Sequence, residues 1–290
     1  MRKMNAIIIL LILVGLLGAC SQPAAPEVAS TEPGTVEVTA NETEETTAPT
    51  EPPVEDTARE MIRRGEYQEA YDLLQAAEET EEIRYLKLRA EIGQVTEGSM
   101  VILGTYEQDN DRGNGGEPIA WVVVKTDGDR AMLLSLYCLD TQPYHDVIDG
   151  TTTWEDSTLR KWLDEDFLNA AFDETERQFL LETELVNPDN PVYNTEGGEN
   201  TLDRVFLLSL DESYTYLTEE LRRAQVTAYA VARGCFITHN GTGWWWLRSP
   251  GVYTRDAAYI DATGDISEYG YIVHRPGWAV RPAIWIDLSV

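Results

Sequence analysis

At Gly98 the hydrophobic period of the chain changes, and that change limits the folds open to it. Upstream, apolar residues fall in three stripes at helical spacing. The first is Ala58, Met61 and Ile62; beyond Gly65 come Tyr67, Ala70, Tyr71, Leu73 and Leu74; the third is Ile83, Leu86, Leu88 and Ile92, with Gly93 as a stop. Downstream, residues 100–106, 119–126 and 131–137 are β-prone, and Asp127-Gly128-Asp129 joins the last two runs as a hairpin. A helical insert follows. It starts at Thr158 and Leu159, runs towards Phe167 and Phe172, and restarts where Asp173 and Glu176 form a capping-box-like pair ahead of Phe179, Leu180 and Leu181. Residues 187–200 are rich in Asn, Pro and Gly and read as loop. Residues 205–208 read as a short buried strand, and Ser209 with Glu212 as the cap of a helix over 211–217. The tail is β again at 244–247, 257–262, 266–273 and 279–288. The class expected from this order is α+β.

The amino terminus reads as an address. Arg2 and Lys3 precede an uncharged run over residues 6–19, which closes as Leu17-Gly18-Ala19-Cys20. The run is shorter than the roughly 20 residues a helix needs to span a bilayer, but it suits a signal-peptide core. The closing tetrapeptide resembles a bacterial lipobox. That resemblance implies cleavage before Cys20 and a diacylglyceryl thioether on its sulfur, so the chain is expected in the cell envelope, lipid-anchored to the outer face of the membrane. An ordinary secretory signal with a chance Cys is the alternative. Residues 21–54 hold six Pro, seven Thr and seven Glu with no Lys, Arg or aromatic residue, a composition that cannot bury enough apolar surface to fold. They read as a disordered tether.

The whole chain carries 51 Asp+Glu against 22 Lys+Arg, a net charge of −29, of which −24 belongs to residues 55–290. Nucleic-acid binding needs clustered Lys and Arg, and docking on an anionic membrane face needs the same, so both are excluded as partners. The charge suits a ligand that is neutral or cationic. Three Cys and three His are too few and too scattered for a structural metal site or a disulfide framework. No G-x-S-x-G, phosphate-binding loop, dinucleotide fingerprint or H-E-x-x-H occurs, so neither a cofactor nor a catalytic role is expected. Cys138 and Cys235 are open between free thiols and a bridge. The run Asp109-Asn110-Asp111-Arg112-Gly113-Asn114-Gly115 alternates oxygen ligands suited to calcium, but it lacks the downstream bidentate Glu and fits a plain connecting loop. Arg248 and Arg281 sit in apolar β runs, where a buried guanidinium is expected to pair with a carboxylate and lock the fold.

The aromatic tail is the positive sign. In Trp244-Trp245-Trp246-Leu247-Arg248-Ser249-Pro250-Gly251, strand alternation sends Trp244 and Trp246 to one face and Trp245 with Leu247 to the other. One set is core. The other is either exposed beside loop residues Tyr253, Tyr259, Tyr269, Tyr271 and Trp278, as a platform that binds by stacking, or buried with the first in a wide core. The ligand-binding residues expected from the first alternative are Trp244, Trp246, Tyr253, Tyr259 and Trp278.

Two resemblances extend this reading. Gly65-Glu66-Tyr67-Gln68-Glu69-Ala70 resembles the middle of a tetratricopeptide repeat, where Gly permits a turn and Ala sits in a tight helix contact. The motif Trp244-Trp245-Trp246-Leu247-Arg248-Ser249-Pro250-Gly251 is followed by Val280-Arg281-Pro282-Ala283 and preceded by Gly104-Thr105-Tyr106, Glu117-Pro118-Ile119-Ala120-Trp121, Thr153-Trp154-Glu155 and Val205-Phe206-Leu207-Leu208-Ser209. Together these resemble a family of bacterial surface proteins to which no activity is assigned, over roughly residues 97–290. More distantly, the layout is similar to the C-type lectin-like fold of formylglycine-generating enzymes and of retroelement-diversified surface receptors. That likeness implies an aromatic-Arg strand and a terminal Arg strand bracketing a loop-rich binding face, with Trp121, Trp154, Arg248 and Arg281 structural. Two departures stand out: Cys138 and Cys235 lie outside any copper-binding context, and Glu117-Pro118-Ile119 and Gln142-Pro143-Tyr144 break the triplets of calcium-dependent lectins.

The expected organisation is therefore a signal peptide (1–19), a lipid anchor and disordered Pro/Thr/Glu tether (20–54), a tetratricopeptide-like helical hairpin (55–96) and a C-type lectin-like α+β domain (97–290). The expected function is non-catalytic recognition of an extracellular glycan or surface protein. The competitors are an envelope hydrolase using a carboxylate pair, a structural surface-assembly protein and a calcium-dependent lectin.

Overall fold

The computed structural model describes residues 52–147 and 152–289; the expected lipidation site Cys20, the expected signal peptide and most of the expected tether lie outside the described residues. The described residues form one compact unit. It opens with helices α1 (Val54–Arg63), α2 (Tyr67–Leu74) and α3 (Glu81–Ile92), one for each apolar stripe, so this region holds three helices rather than the two of a hairpin. Gly65 turns the chain after α1 with a φ of 76°, a conformation that costs a residue with a Cβ. Thr80 caps α3 by accepting from the Ile83 N–H at 3.1 Å. The inner faces of the three helices meet in a small core of Ala58, Ile62, Ala70, Leu74, Ile83, Leu86 and Ala90. Helix α3 belongs to two cores at once: Ile92 is part of the main one, and Tyr85 stacks on Phe179 at 5.2 Å.

The strands and helices that follow are, in chain order, β1 (Met100–Tyr106), β2 (Glu117–Asp127), β3 (Arg130–Ser135) and β4 (Asp140–Thr141). Then come α4 (Thr158–Trp162), a π-helical turn at Leu163–Phe167, α5 (Leu168–Ala171), α6 (Glu174–Arg177), β5 (Thr183–Leu185), β6 (Thr201–Asp203) and β7 (Val205–Phe206). The last third holds α7 (Leu210–Tyr216), α8 (Glu219–Arg222), α9 (Ala228–Ala232), β8 (Trp245–Pro250), β9 (Asp256–Ile260), β10 (Ile266–Ile272), β11 (Ala279–Val280) and β12 (Ala283–Asp287). One five-stranded sheet runs β1-β2-β3-β12-β7, all antiparallel; a second runs β10-β9-β8-β11-β4, antiparallel except for the β8–β11 pair; β5 and β6 form a two-stranded ribbon. The α+β class holds.

Two elements differ from the pattern. The apolar residues after α6 do not prolong it, because they are claimed by the sheet edge: the Leu181 N–H donates to the Trp285 carbonyl and the Asp287 N–H to the Phe179 carbonyl, both at 2.9 Å. The terminal run 279–288 is two strands in two sheets. Pro282 has no N–H for a ladder, its carbonyl accepts from the Ser135 N–H at 2.9 Å, and the chain changes sheet at Arg281. The terminal strand β12 thereby returns to the interior of the first sheet, between β3 and the edge strand β7.

Candidate ligand-binding face on the second sheet

Strand β8 is buried along its whole length, so both of its faces are covered. Trp245 points to one side, where its indole N–H donates to the Arg222 carbonyl at 3.0 Å; Trp246 points to the other and donates to the Gln142 carbonyl at 3.1 Å. Register then aligns Tyr259 of β9 with Trp246 and with Ser267 of β10, and Tyr271 of β10 with Ala257. Alternation along β9 places Tyr259, Tyr271 and Trp246 on one face. The loop before β11 folds over this face and sets Trp278 at its middle. Its ring stacks on Trp246 at 4.7 Å and meets Tyr259 at 4.5 Å, Tyr271 at 5.2 Å and Trp244 at 6.4 Å.

This geometry corrects the sequence expectation of an open tryptophan platform. Trp246 is fully buried and Trp278 only 7% exposed, because each covers the other. Trp244 and Tyr259 are half-buried at the edge of the cluster. Tyr259, Tyr269 and Tyr271 lie on strands rather than loops. What faces solvent is tyrosine: Tyr253, Tyr269 and Tyr271 are exposed, at 52%, 56% and 42%. The Val252 N–H donates to the Tyr269 carbonyl at 2.8 Å, which brings the Tyr253 loop alongside β10. Sequence reasoning missed two members of the rim. Tyr193, in the Asn/Pro-rich loop, meets Tyr269 edge-on at 5.9 Å. Phe236, also exposed, packs over Gly277, where a Cβ would come within 2.6 Å of its ring. Neither has periodicity to reveal it, since both sit in irregular segments.

The rim is held from beneath. Asn190 is buried and its amide donates to the carbonyls of Pro250 and Glu268, both at 2.8 Å, tying the Tyr193 loop to β8 and β10. Gly270 sits at φ 76° where the β9–β10 register shifts, so Tyr269 and Tyr271 are aimed by a bulge. Two cations lie over rim rings, Arg255 on Tyr253 at 5.2 Å and Arg275 on Phe236 at 5.9 Å.

The four residues expected to be structural are all buried. Trp121 and Trp154 are buried, donating to the Leu103 carbonyl at 2.7 Å and to Asp203 at 2.8 Å. Arg248 pairs with Glu212 and donates to Asn187 and to the Leu207 and Val186 carbonyls. Arg281 departs from the expected carboxylate pairing. Among the described residues its partners are the Ser135 carbonyl at 2.9 Å, the Leu221 carbonyl at 2.5 Å and the Trp245 ring at 5.0 Å. Burial without a counter-charge lowers its pKa to about 10.

Three titratable groupings lie elsewhere. Cys138 and Cys235 are free thiols, both buried, and burial pushes each pKa up to about 12. Asp140 is 1% exposed, and burial raises its pKa, although Tyr106 Oη at 2.6 Å, Arg233 Nε at 2.8 Å and the Thr141 N–H at 2.6 Å all hold it. Oxygens of Glu107, Asp109 and Glu117 lie within 4.8 Å of one another, a spacing that could hold a cation. Most of that set serves its own loop: Asp109 accepts from the Asp111 N–H and the Asn114 amide, and Glu117 from the Gln108 and Asp109 N–H groups. Those bonds are the ones a plain connecting loop needs.

A sequence profile of the DUF6273 family, a domain of unknown function, matches residues 128–288, more than half of the chain. The chain belongs to the DUF6273 family. The DUF6273 match begins at the β2–β3 turn and runs to the end of β12, so it takes in the whole second sheet and every rim residue named above. No curated protein and no solved structure matches the chain.

Proposed function

We propose that this chain is a lipid-anchored binding protein of the cell envelope that recognises an extracellular glycan or surface protein, without catalysis, through the tyrosine rim of the second sheet. The observation that carries the reading is the pairing of an exposed rim with a rigid buried base. Tyr253, Tyr269 and Tyr271 offer ring faces and hydroxyls to solvent, while Trp246 and Trp278 hold the sheet beneath them in fixed stacking. Tyr exposes large amphipathic area with little rotamer entropy to lose, which is why it is favoured in recognition surfaces. Attachment to the outer membrane face through Cys20 would present this rim at the end of the acidic tether.

A C-type lectin-like architecture is the finer fold we propose for residues 97–290. In its favour, β12 returns to pair with β3, closing the domain, and a second sheet carries the Trp-Leu-Arg strand. The preceding helices keep the proposed likeness to a tetratricopeptide repeat at the Gly65 turn and at Ala70, which is fully buried.

The test is a binding screen of the full-length protein, in detergent, against cell-wall polysaccharides, host glycans and envelope proteins, read by tryptophan fluorescence because Trp244 and Trp278 adjoin the rim. The expected result is saturable binding of one class that persists in EDTA. Binding abolished by the chelator would return a calcium-dependent lectin, and turnover of a ligand without stable binding would return a hydrolase. Acyl labelling of Cys20 in cells, lost in Cys20→Ser, checks the anchor.

A further inference from the structure

A second site lies away from the tyrosine rim, between α1, α2 and α3. A cavity of about 560 Å³ opens there, within the range of small-molecule sites. Three arginines line it: Arg59, Arg63 and Arg89. Two of them are already neutralised. Arg59 bridges Asp56 at 2.9 Å and Glu82 at 2.6 Å, and Arg63 bridges Glu60 at 2.8 Å; both side chains are largely exposed. Arg89 is different. It is 7% exposed, and its Nε and one terminal nitrogen are buried with no hydrogen-bond partner. The Tyr67 ring at 5.7 Å is its only cation–π contact among the described residues, and none of their carboxylates pairs with it. Asp287, the acid beside Tyr85, accepts instead from the N–H and hydroxyl of Ser289, both at 2.7 Å.

A guanidinium out of water with donors unmet is costly, and a partner that met those donors would recover the cost. From this geometry we infer that the cavity binds a small organic acid, its carboxylate taken by the planar fork of Arg89 and its apolar body by the surrounding walls. The charge balance selects a monoanion. With Arg59 and Arg63 paired, a single positive charge remains, in a protein of net −29, so a doubly charged phosphate ester would arrive with uncompensated charge. The remaining walls are Tyr67, Tyr85, Ile62 and Leu86, which suit a ring or short alkyl chain, and Ser289. Gly93 keeps the Tyr67 wall in place: a Cβ there would fall 2.4 Å from the Tyr67 ring.

Calorimetric titration of the full-length protein with phenylacetate, acetate and inorganic phosphate tests this. Phenylacetate is expected to bind saturably with a Kd of about 1 mM or below, acetate at least tenfold more weakly, and phosphate no better than acetate. Arg89→Met is expected to weaken phenylacetate binding at least tenfold while leaving the melting temperature unchanged or raised, since it removes an unpaired buried charge. Arg89→Lys, which keeps the charge but not the fork, is expected to fold and to lose most of the affinity. Arg63→Gln is expected to change it less than threefold. Phenylacetate binding that is absent, or equal in wild type and Arg89→Lys, would overturn the assignment, as would a preference for phosphate.

Discussion

Two buried arginines show how a residue's surroundings decide its part. Both Arg248 and Arg281 are buried, and in sequence they look alike. Arg248 meets Glu212, which also closes the capping box of α7 with Ser209, so one carboxylate serves a helix end and a guanidinium. Removing one member of such a pair strands the other, and Arg248→Met should lower stability by about 3–5 kcal/mol in urea unfolding. Arg281 instead relies on carbonyls and a Trp face, an arrangement no spacing rule reveals because its partners are more than 30 residues away. The buried thiols give a pH signature. Their folded pKa near 12 lies above the ordinary value of 9.0, so between those limits the unfolded chain releases protons that the fold retains. The stability they contribute is complete below about pH 9 and declines as pH rises towards 12. Arg281 works in the opposite sense from about pH 10 upward, where the unfolded chain holds the extra proton. Between pH 9 and 10 a decline should therefore be seen in thermal melts, and Cys138→Ala with Cys235→Ala should flatten it.

At the scale of elements, the sequence was most readable where the chemistry is local. Asp173 with Glu176 and Ser209 with Glu212 both form the capping boxes that their spacing predicts. Ser209→Ala should cost about 1 kcal/mol in the same unfolding experiment. Strand alternation was readable too, and β8 shows its limit. Period two separates Trp245 from Trp246, but it cannot say that a loop 32 residues onward will cover the Trp246 face with Trp278. The break in the terminal run was signalled by Pro282, although hydrophobicity alone made 279–288 look continuous. Gly270 is the element-scale control on the rim. Its φ of 76° and the Ala257 carbonyl 2.7 Å from where a Cβ would sit leave no room for a side chain. Gly270→Ala should lower stability by at least about 2 kcal/mol and move Tyr269 and Tyr271, visible as a changed tryptophan fluorescence.

At the scale of the molecule, the hydrophobic period changes at Gly98, but the packing does not part there. Helix α3 places Ile92 in the main core and Ile83, Leu86 and Ala90 in the small one. Heat and urea should therefore unfold the helices and the sheets in a single transition, with Ile92→Ala shifting the whole curve by about 2–5 kcal/mol. Two transitions by fluorescence and circular dichroism would show that the helices stand alone. The surface pair Arg84–Asp173, which also links α3 to α6, should contribute less than about 1 kcal/mol, because both side chains are wet. Whether the tyrosine rim is the recognition surface is decided by the affinity of Tyr269→Ala/Tyr271→Ala for the ligand that the screen returns. Tyr137→Ala serves as the exposed control, since Tyr137 is not among the rim residues. An affinity loss of at least tenfold is expected in the double variant, with an unchanged melting temperature and full binding by Tyr137→Ala. Undiminished binding by a folded double variant would contradict it.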